Sequence, residues 1–183
     1  MTVIETVNFL LALGTLVMQI AGAALLGLFF LRKRIPDLED VALYVSEWGL
    51  WIAFVIVLGS SAVTLIYSDV FGFAACVLCW WQRIFLYPQV FLFGIAAWKK
   101  HFLIWMYSIP LSVIGGAIAL YQHLLQMGVT STAPCDAIPG TDCAARFLFE
   151  FGYITFPLMA ASLFGFLIVL MLFVRNSRQN LLS

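Results

Sequence analysis

Apolar residues in this chain run in long blocks instead of the short alternating or three-to-four-spaced patterns of a soluble domain. Five blocks stand out: Asn8–Leu31, Trp48–Tyr67, Trp80–Trp98, Phe102–Leu125 and Phe151–Val174. Each approaches or exceeds the ~20 helical residues that cross a hydrocarbon core of ~30 Å. None alternates with a period of two, which argues against a β-barrel. Helix is the remaining structure that satisfies its own backbone hydrogen bonds in lipid. The pattern therefore predicts an all-α integral membrane protein with five spans. The third block is the weakest. Its apolar part, Ile84–Trp98, is short, and Gln82 and Arg83 stand at its start. Polarity tolerated at that end points to a site.

The segments between blocks are short. Pro36–Glu47 is acidic, with Leu38, Val41, Val45 and Trp48 at helical spacing. It reads equally as an interfacial helix or a connecting loop. Gly115–Gly116 and the small pairs Ala23/Gly27 and Ala161/Gly165 permit close helix approach. Pro88, Pro110 and Pro157 are candidate kink positions.

Composition agrees with lipid as the solvent. Of 183 residues, 64% are apolar and 10% are charged, against roughly 25% charged in a soluble domain. The net charge of zero offers no basic field for nucleic acid. The first block is too long for a signal-peptide core, and no Lys or Arg precedes it; it reads as a retained helix. Arg32, Lys33, Arg34, Lys99, Lys100, Arg175 and Arg178 follow the first, third and fifth blocks, whereas only Arg83 and Arg146 fall at the opposite ends. Basic flanks stay cytoplasmic, so the expected orientation has the N-terminus outside and the C-terminus cytoplasmic. Cys76, Cys79, Cys135 and Cys143 then all face the extracytoplasmic side, where disulfides persist.

Cys76-Val77-Leu78-Cys79-Trp80-Trp81-Gln82-Arg83 is the sharpest local signal. Two cysteines three apart at a helix start can close a small disulfide ring or remain a reactive dithiol. A helix N-terminus lowers the pKa of a nearby thiol, and Cys79 is the better placed of the two. Arg83 follows one turn deeper on the same face. It can stabilise a thiolate at Cys79 or donate to a bound oxygen acceptor. The plain alternative is a stapling disulfide beside a snorkelling arginine. Zinc ranks lower, because the spacing of Cys135 and Cys143 does not suit a compact four-cysteine site. That second pair lies in a loop marked by Pro134, Pro139 and Gly140, where an exposed disulfide is open to attack by an incoming thiolate. A loop staple is its ordinary role; two pairs together favour a relay. His123, near the end of the fourth block, either meets interfacial water or hydrogen-bonds a cofactor. On its own the first reading is the stronger. Trp80 and Trp81 fit an aromatic belt or the wall of an apolar headgroup pocket.

Taken together, the Cys76-x-x-Cys79-x-x-x-Arg83 motif, Tyr121-Gln122-His123, the later cysteine loop and the run Phe151-Gly-Tyr-Ile-Thr-Phe-Pro-Leu-Met159 resemble the bacterial disulfide-bond formation protein B (DsbB) family. The likeness is greatest to its shorter-loop branch, often called BdbC, and covers about residues 48–174. It implies a four-helix bundle over that range, with 8–31 an additional transmembrane helix in front, in one membrane domain. That helix carries no cysteine and no charge between Asn8 and Leu31, and is expected to be dispensable for the chemistry. Gln82 stands where family members commonly carry an acidic residue, and the second cysteine pair is closer together than in the long-loop branch.

The resemblance also implies a relay in the bacterial cytoplasmic membrane. A reduced thioredoxin-fold oxidase of the DsbA kind attacks the Cys135–Cys143 disulfide at Cys135. Electrons pass to Cys76–Cys79 through Cys76, and Cys79, near Arg83, reduces a quinone, either ubiquinone or menaquinone, with Arg83 and His123 as its candidate ligands. A DsbA-type disulfide is a strong oxidant, near −120 mV, and its reoxidation demands an acceptor more oxidising than cytosolic thiol couples. The competing reading is a non-catalytic membrane scaffold or assembly factor braced by two loop disulfides.

Overall fold

The computed structural model describes residues 3–32, 37–130 and 142–182. They form helices α1 (Val3–Leu31), α2 (Asp37–Leu65), α3 (Val77–Lys99), α4 (Trp105–Gln126) and α5 (Phe156–Leu182). A π-turn, Ile66–Val70, continues α2, and a 3-10 turn, Phe102–Ile104, leads into α4. The acidic Pro36–Glu47 stretch is neither a loop nor a separate interfacial helix from Asp37 onward, because α2 begins there and runs on without a break.

Among the described residues, four helices are long and apolar enough to cross a membrane: Val3–Leu31, Asp40–Val70, Phe102–Gln126 and Phe156–Asn176. The expectation of five spans is thereby corrected. α3 is long enough, but Gln82, Arg83, Pro88 and Gln89 interrupt its apolar run, and it is not among the four. The orientation drawn from five crossings, with the N-terminus outside and the C-terminus cytoplasmic, loses its basis with the count. The chain is an all-α, multi-pass membrane protein.

α5 is the centre of the bundle. In its apolar window 56% of the residues are buried, against 11% in α1. Leu163, Phe164, Leu167, Leu170 and Met171 of α5 pack with Leu50, Ala53 and Val57 of α2 and Phe93 and Ala96 of α3. Lipid tails are as apolar as these side chains, so close packing and small residues hold the helices together. Gly115 shows this most sharply: a Cβ there would lie 2.5 Å from the Phe164 ring. Gly27 and Gly165, also candidates for close approach, have open space where a Cβ would go.

The two ends of the bundle differ in charge. Arg32 lies over the rings of Phe29 and Phe173, and Arg175 over Trp105 at the start of α4. Lys99 and Lys100 close α3 at this same end, Lys100 capping the helix with φ 52°. Cys76 and Cys79 lie at the opposite end of α3. Lys33, Arg34 and Cys135 lie outside the described residues.

Candidate redox site

The site begins with how α3 starts. Cys76 has extended backbone (ψ 170°) and is the N-cap, its Sγ accepting from the Cys79 N–H at 3.3 Å. A thiol thus takes the place usually filled by Ser, Thr, Asp or Asn. The three-residue spacing puts Cys79 in the first turn, beneath that cap. Both thiols are free. Cys76 is buried, and Cys79 is partly so.

Gln122 of α4 reaches across to both sulfurs. Its Nε2 lies 3.2 Å from Cys76 Sγ and 3.5 Å from Cys79 Sγ. Gln82 sets its orientation by donating from Nε2 to Gln122 Oε1 at 2.6 Å. Cys79 lies in the first turn of α3, outside the four candidate spans, and its thiol is held below the ordinary value. The hydrogen bond with Cys76 is the main cause, and Gln122 and the nearby Arg83 charge assist against the opposing effect of burial. The Cys76 thiol is pushed up by that same bond, by burial and by the neighbouring thiolate. The pair is thus polarised, with Cys79 as the thiolate and Cys76 as the thiol that supports it.

Arg83 lies one turn below Cys79 and is buried. Its Nη2 donates to the Thr64 carbonyl at 2.9 Å and to Ser68 Oγ at 3.3 Å, and its guanidinium stands 5.1 Å from the Trp80 ring. Both acceptors belong to the last turn of α2 and its π-turn, a distortion found often at functional sites. An arginine has five donors. Those on Nε and Nη1 have no acceptor among the described residues.

The second cysteine pair is only half described. Cys143 is disulfide-bonded, and neither Cys76 nor Cys79 is its partner, since both are free. The sequence predicts an exposed loop disulfide here, yet Cys143 is 1% exposed and shares a packed cluster with Cys76, Leu78 and Leu125. Gln126 Nε2 ties its segment to α4, donating to Ala145 O at 2.9 Å and Cys143 O at 3.5 Å. Three cysteines of this chain therefore meet at one end of the bundle.

Between these groups lies a cavity of about 150 Å³, lined by Cys79, Arg83, Gln122 and Gln126, with Phe73, Phe147 and Phe156 among its apolar walls. His123 is not at this cavity. Its Nδ1 is 2.9 Å from Thr155 Oγ1 at the foot of α5. The reason is helical geometry: Gln122 and Gln126 are four apart and share a face, and His123 is turned ~100° from Gln122. Gln126 is a site component that sequence reasoning missed; the sequence marks Gln82 only as polarity at a site, and Gln122 only as part of the family motif, neither with a role of its own. The one signal for Gln126 was polarity at the end of an apolar block.

These observations define a class: a multi-pass helical membrane protein with a polarised dithiol, a disulfide-bonded cysteine packed beside it and a small cavity at the thiolate. The family model described as "Disulfide bond formation protein DsbB" matches residues 46–174. The "Probable disulfide formation protein C 1" of Bacillus anthracis is 37% identical over 131 residues, covering 72% of this chain and 88% of that protein. The "Probable disulfide formation protein" of Metapseudomonas resinovorans is 36% identical, covering 73% and 92%. The "SPbeta prophage-derived disulfide bond formation protein B" of Bacillus subtilis is also 36% identical, covering 75% and 94%. No solved structure matches. The chain belongs to the DsbB family, and its chemistry at family level is the oxidoreductase chemistry of disulfide-bond formation. All of α1 precedes the matched range, and so do the first turns of α2.

Proposed function

We propose that the protein is a thiol:quinone oxidoreductase that reoxidises a thioredoxin-fold oxidase outside the bacterial cytoplasmic membrane. The observation that carries this reading is the convergence of a polarised Cys76/Cys79 pair, a buried disulfide cysteine and an arginine-bearing cavity. A scaffold braced by disulfides has no need of a stabilised thiolate at a cavity wall. The cysteine end faces outward on this reading, because Arg32, Lys99, Lys100 and Arg175 gather at the other end and basic flanks stay cytoplasmic.

In the first half-reaction the partner's thiolate attacks Cys135, forming a mixed disulfide and releasing Cys143 as a thiolate. Burial of Cys143 leaves Cys135 as the sulfur to be attacked. A second partner thiol then resolves the mixed disulfide, and the partner leaves oxidised. Cys143 is already packed in the cluster that holds Cys76, so exchange with an oxidised Cys76–Cys79 pair needs little movement. That exchange restores the Cys135–Cys143 disulfide and leaves Cys76 and Cys79 as free thiols.

The residues at the cavity fit a quinone. Arg83 offers donors for a quinone carbonyl oxygen, aromatic rings provide walls, and the buried Gln126 Oε1, an acceptor with no partner among the described residues, suits an O–H of the quinol product. At about 150 Å³ the space lies below the ~300–1,000 Å³ of common ligand pockets. It suits a single ring system. A quinone supplies an acceptor for two electrons and two protons. Arg83 would hold it, Cys79 keeps its thiolate at the same wall, and Gln122 steadies both sulfurs. His123, turned toward Thr155, is not assigned to it.

The test is anaerobic mixing of the purified protein with a quinone and a reduced thioredoxin-fold partner, following quinol by absorbance and partner thiols by alkylation. One quinol should form per partner disulfide. Partner thiols that stay reduced, with no quinol, would leave the scaffold reading standing.

A further inference from the structure

A second and much larger apolar hollow, of about 540 Å³, runs between α1, α2 and α5. It exists because α1 packs chiefly along α5 and touches α2 little. Its floor is α5, with Met159 and Leu163; its sides are α1, with Leu11 and Met18, and α2, with Ile56 and Val63. Val17 and Val55 stand at its rims, 60% and 63% exposed, so the hollow opens sideways toward the lipid.

The hollow and the redox cavity are contiguous. Val63, Thr64, Leu86, Phe156 and Ala160 line both. The carbonyl of that same Thr64 receives Arg83. Polar groups therefore collect at one end and aliphatic ones along the rest. From Leu10 to Ala21 the groove follows α1 for about 16 Å at the helical rise. The shape is that of a small polar-headed cavity extended by a long apolar trough, and the cavity alone holds only a ring.

We infer that this trough seats the polyprenyl tail of the quinone, and that α1, which lies wholly before the range matched to the family, supplies one of its walls. The inference rests on the quinone reading above. α1 is fixed for this role at its cavity end, where Tyr67 of the π-turn, itself a cavity residue, donates to Asn8 Oδ1. Farther along, Gln19 donates to Ser162 Oγ at 2.8 Å and accepts from Tyr153 at 3.1 Å. The first helix is thus coupled to the site although it carries no redox group.

Two glycines offer positions from which to fill the trough. Gly14 of α1 and Gly59 of α2 both line the trough, and a Cβ added at either meets nothing within 4 Å. Gly14→Leu and Gly59→Leu would fill the trough from opposite sides. Binding is measured in phospholipid nanodiscs by quenching of tryptophan fluorescence, with a tail-less quinone and one bearing several isoprene units. A third probe carries a photoreactive group in its second isoprene unit, and its crosslinks are mapped by peptide mass. The native protein should crosslink within residues 3–31. The affinity ratio of long-tailed to tail-less quinone should fall roughly 3- to 10-fold in the filled variants, the scale of lost packing contacts in lipid. Tail-less binding accompanied by crosslinks elsewhere, or by an unchanged ratio in both variants, would overturn the trough and assign it to a phospholipid chain. Failure of the tail-less quinone to bind the native protein would overturn the quinone reading, and this inference with it.

Discussion

The two halves of α3 both bury polar side chains, and they do so to different ends. In the lower half Gln89 is fully buried and hydrogen-bonded at both ends of its amide: its Oε1 accepts from Ser108 at 2.9 Å and Ser112 at 3.3 Å, and its Nε2 donates to Phe85 O at 2.9 Å. That network ties α3 to α4 beside Pro88, which cannot donate a backbone hydrogen bond. In the upper half Cys79, Gln82 and Arg83, with Gln122 of the neighbouring α4, are also hydrogen-bonded, but they converge on a cavity. There Arg83 retains donors, and the neighbouring Gln126 retains an acceptor. Polarity inside a membrane helix is therefore not enough to mark a site. What separates the halves is whether the polar groups satisfy one another or leave capacity facing open space.

The comparison breaks most visibly at Cys79. Cys79→Ser should abolish quinol formation, a loss on the order of the thousand-fold or greater typical of a removed nucleophile. The Cys143 disulfide should still exchange with a reduced partner, as followed by alkylation and mass spectrometry. Next in size is Arg83→Lys, which keeps the charge and loses the planar fork. The apparent quinone KM should rise roughly 10-fold, with a smaller change in kcat, as for lost uniform binding. Thiol exchange with the partner should change little. Equal damage to both half-reactions would mean that Arg83 serves the fold through its ties to Thr64 and Ser68.

Gln122→Leu sharpens the picture by moving a titration. Cys79 sits below the ordinary thiol value, so its thiolate persists as pH falls until that lowered value is crossed. Removal of the Gln122 donor should move the midpoint of its alkylation rate toward higher pH, leaving less thiolate at neutrality. A midpoint that does not move would limit Gln122 to packing. The smallest effect belongs to the lower half. Gln89→Leu leaves two serine hydroxyls without their acceptor and should cost about 1–2 kcal/mol of stability, read as a lower midpoint of denaturation. Quinone kinetics should be unchanged.

How much of this was legible beforehand follows from where each signal lies. Cys76, Cys79 and Arg83 sit within eight consecutive residues on one helix, so helical spacing alone relates them. Gln122 is 43 positions from Cys79, and only the packing of α4 on α3 joins them. The Thr64 carbonyl that receives Arg83 is backbone and leaves no trace in residue identity. His123 was the residue singled out in its segment because imidazole has the more versatile chemistry, yet one step around the helix sends it to Thr155. The count of five spans failed at α3 because a helix carrying site residues loses the apolar content that makes spans recognisable. The burial of Cys143 was hidden because proline and glycine mark a loop without saying what it packs against.

The central claim is that Cys79 is the group through which this dithiol reaches quinone. It is tested most directly by a single anaerobic turnover without any partner. Protein reduced at Cys76 and Cys79, with the Cys143 disulfide left intact, is mixed with excess quinone, and quinol is counted. The account predicts one quinol per protein, with a disulfide appearing between Cys76 and Cys79 and none formed in Cys79→Ser. Quinol formed at the same yield in Cys79→Ser, or a dithiol that stays reduced in the native protein, would contradict it.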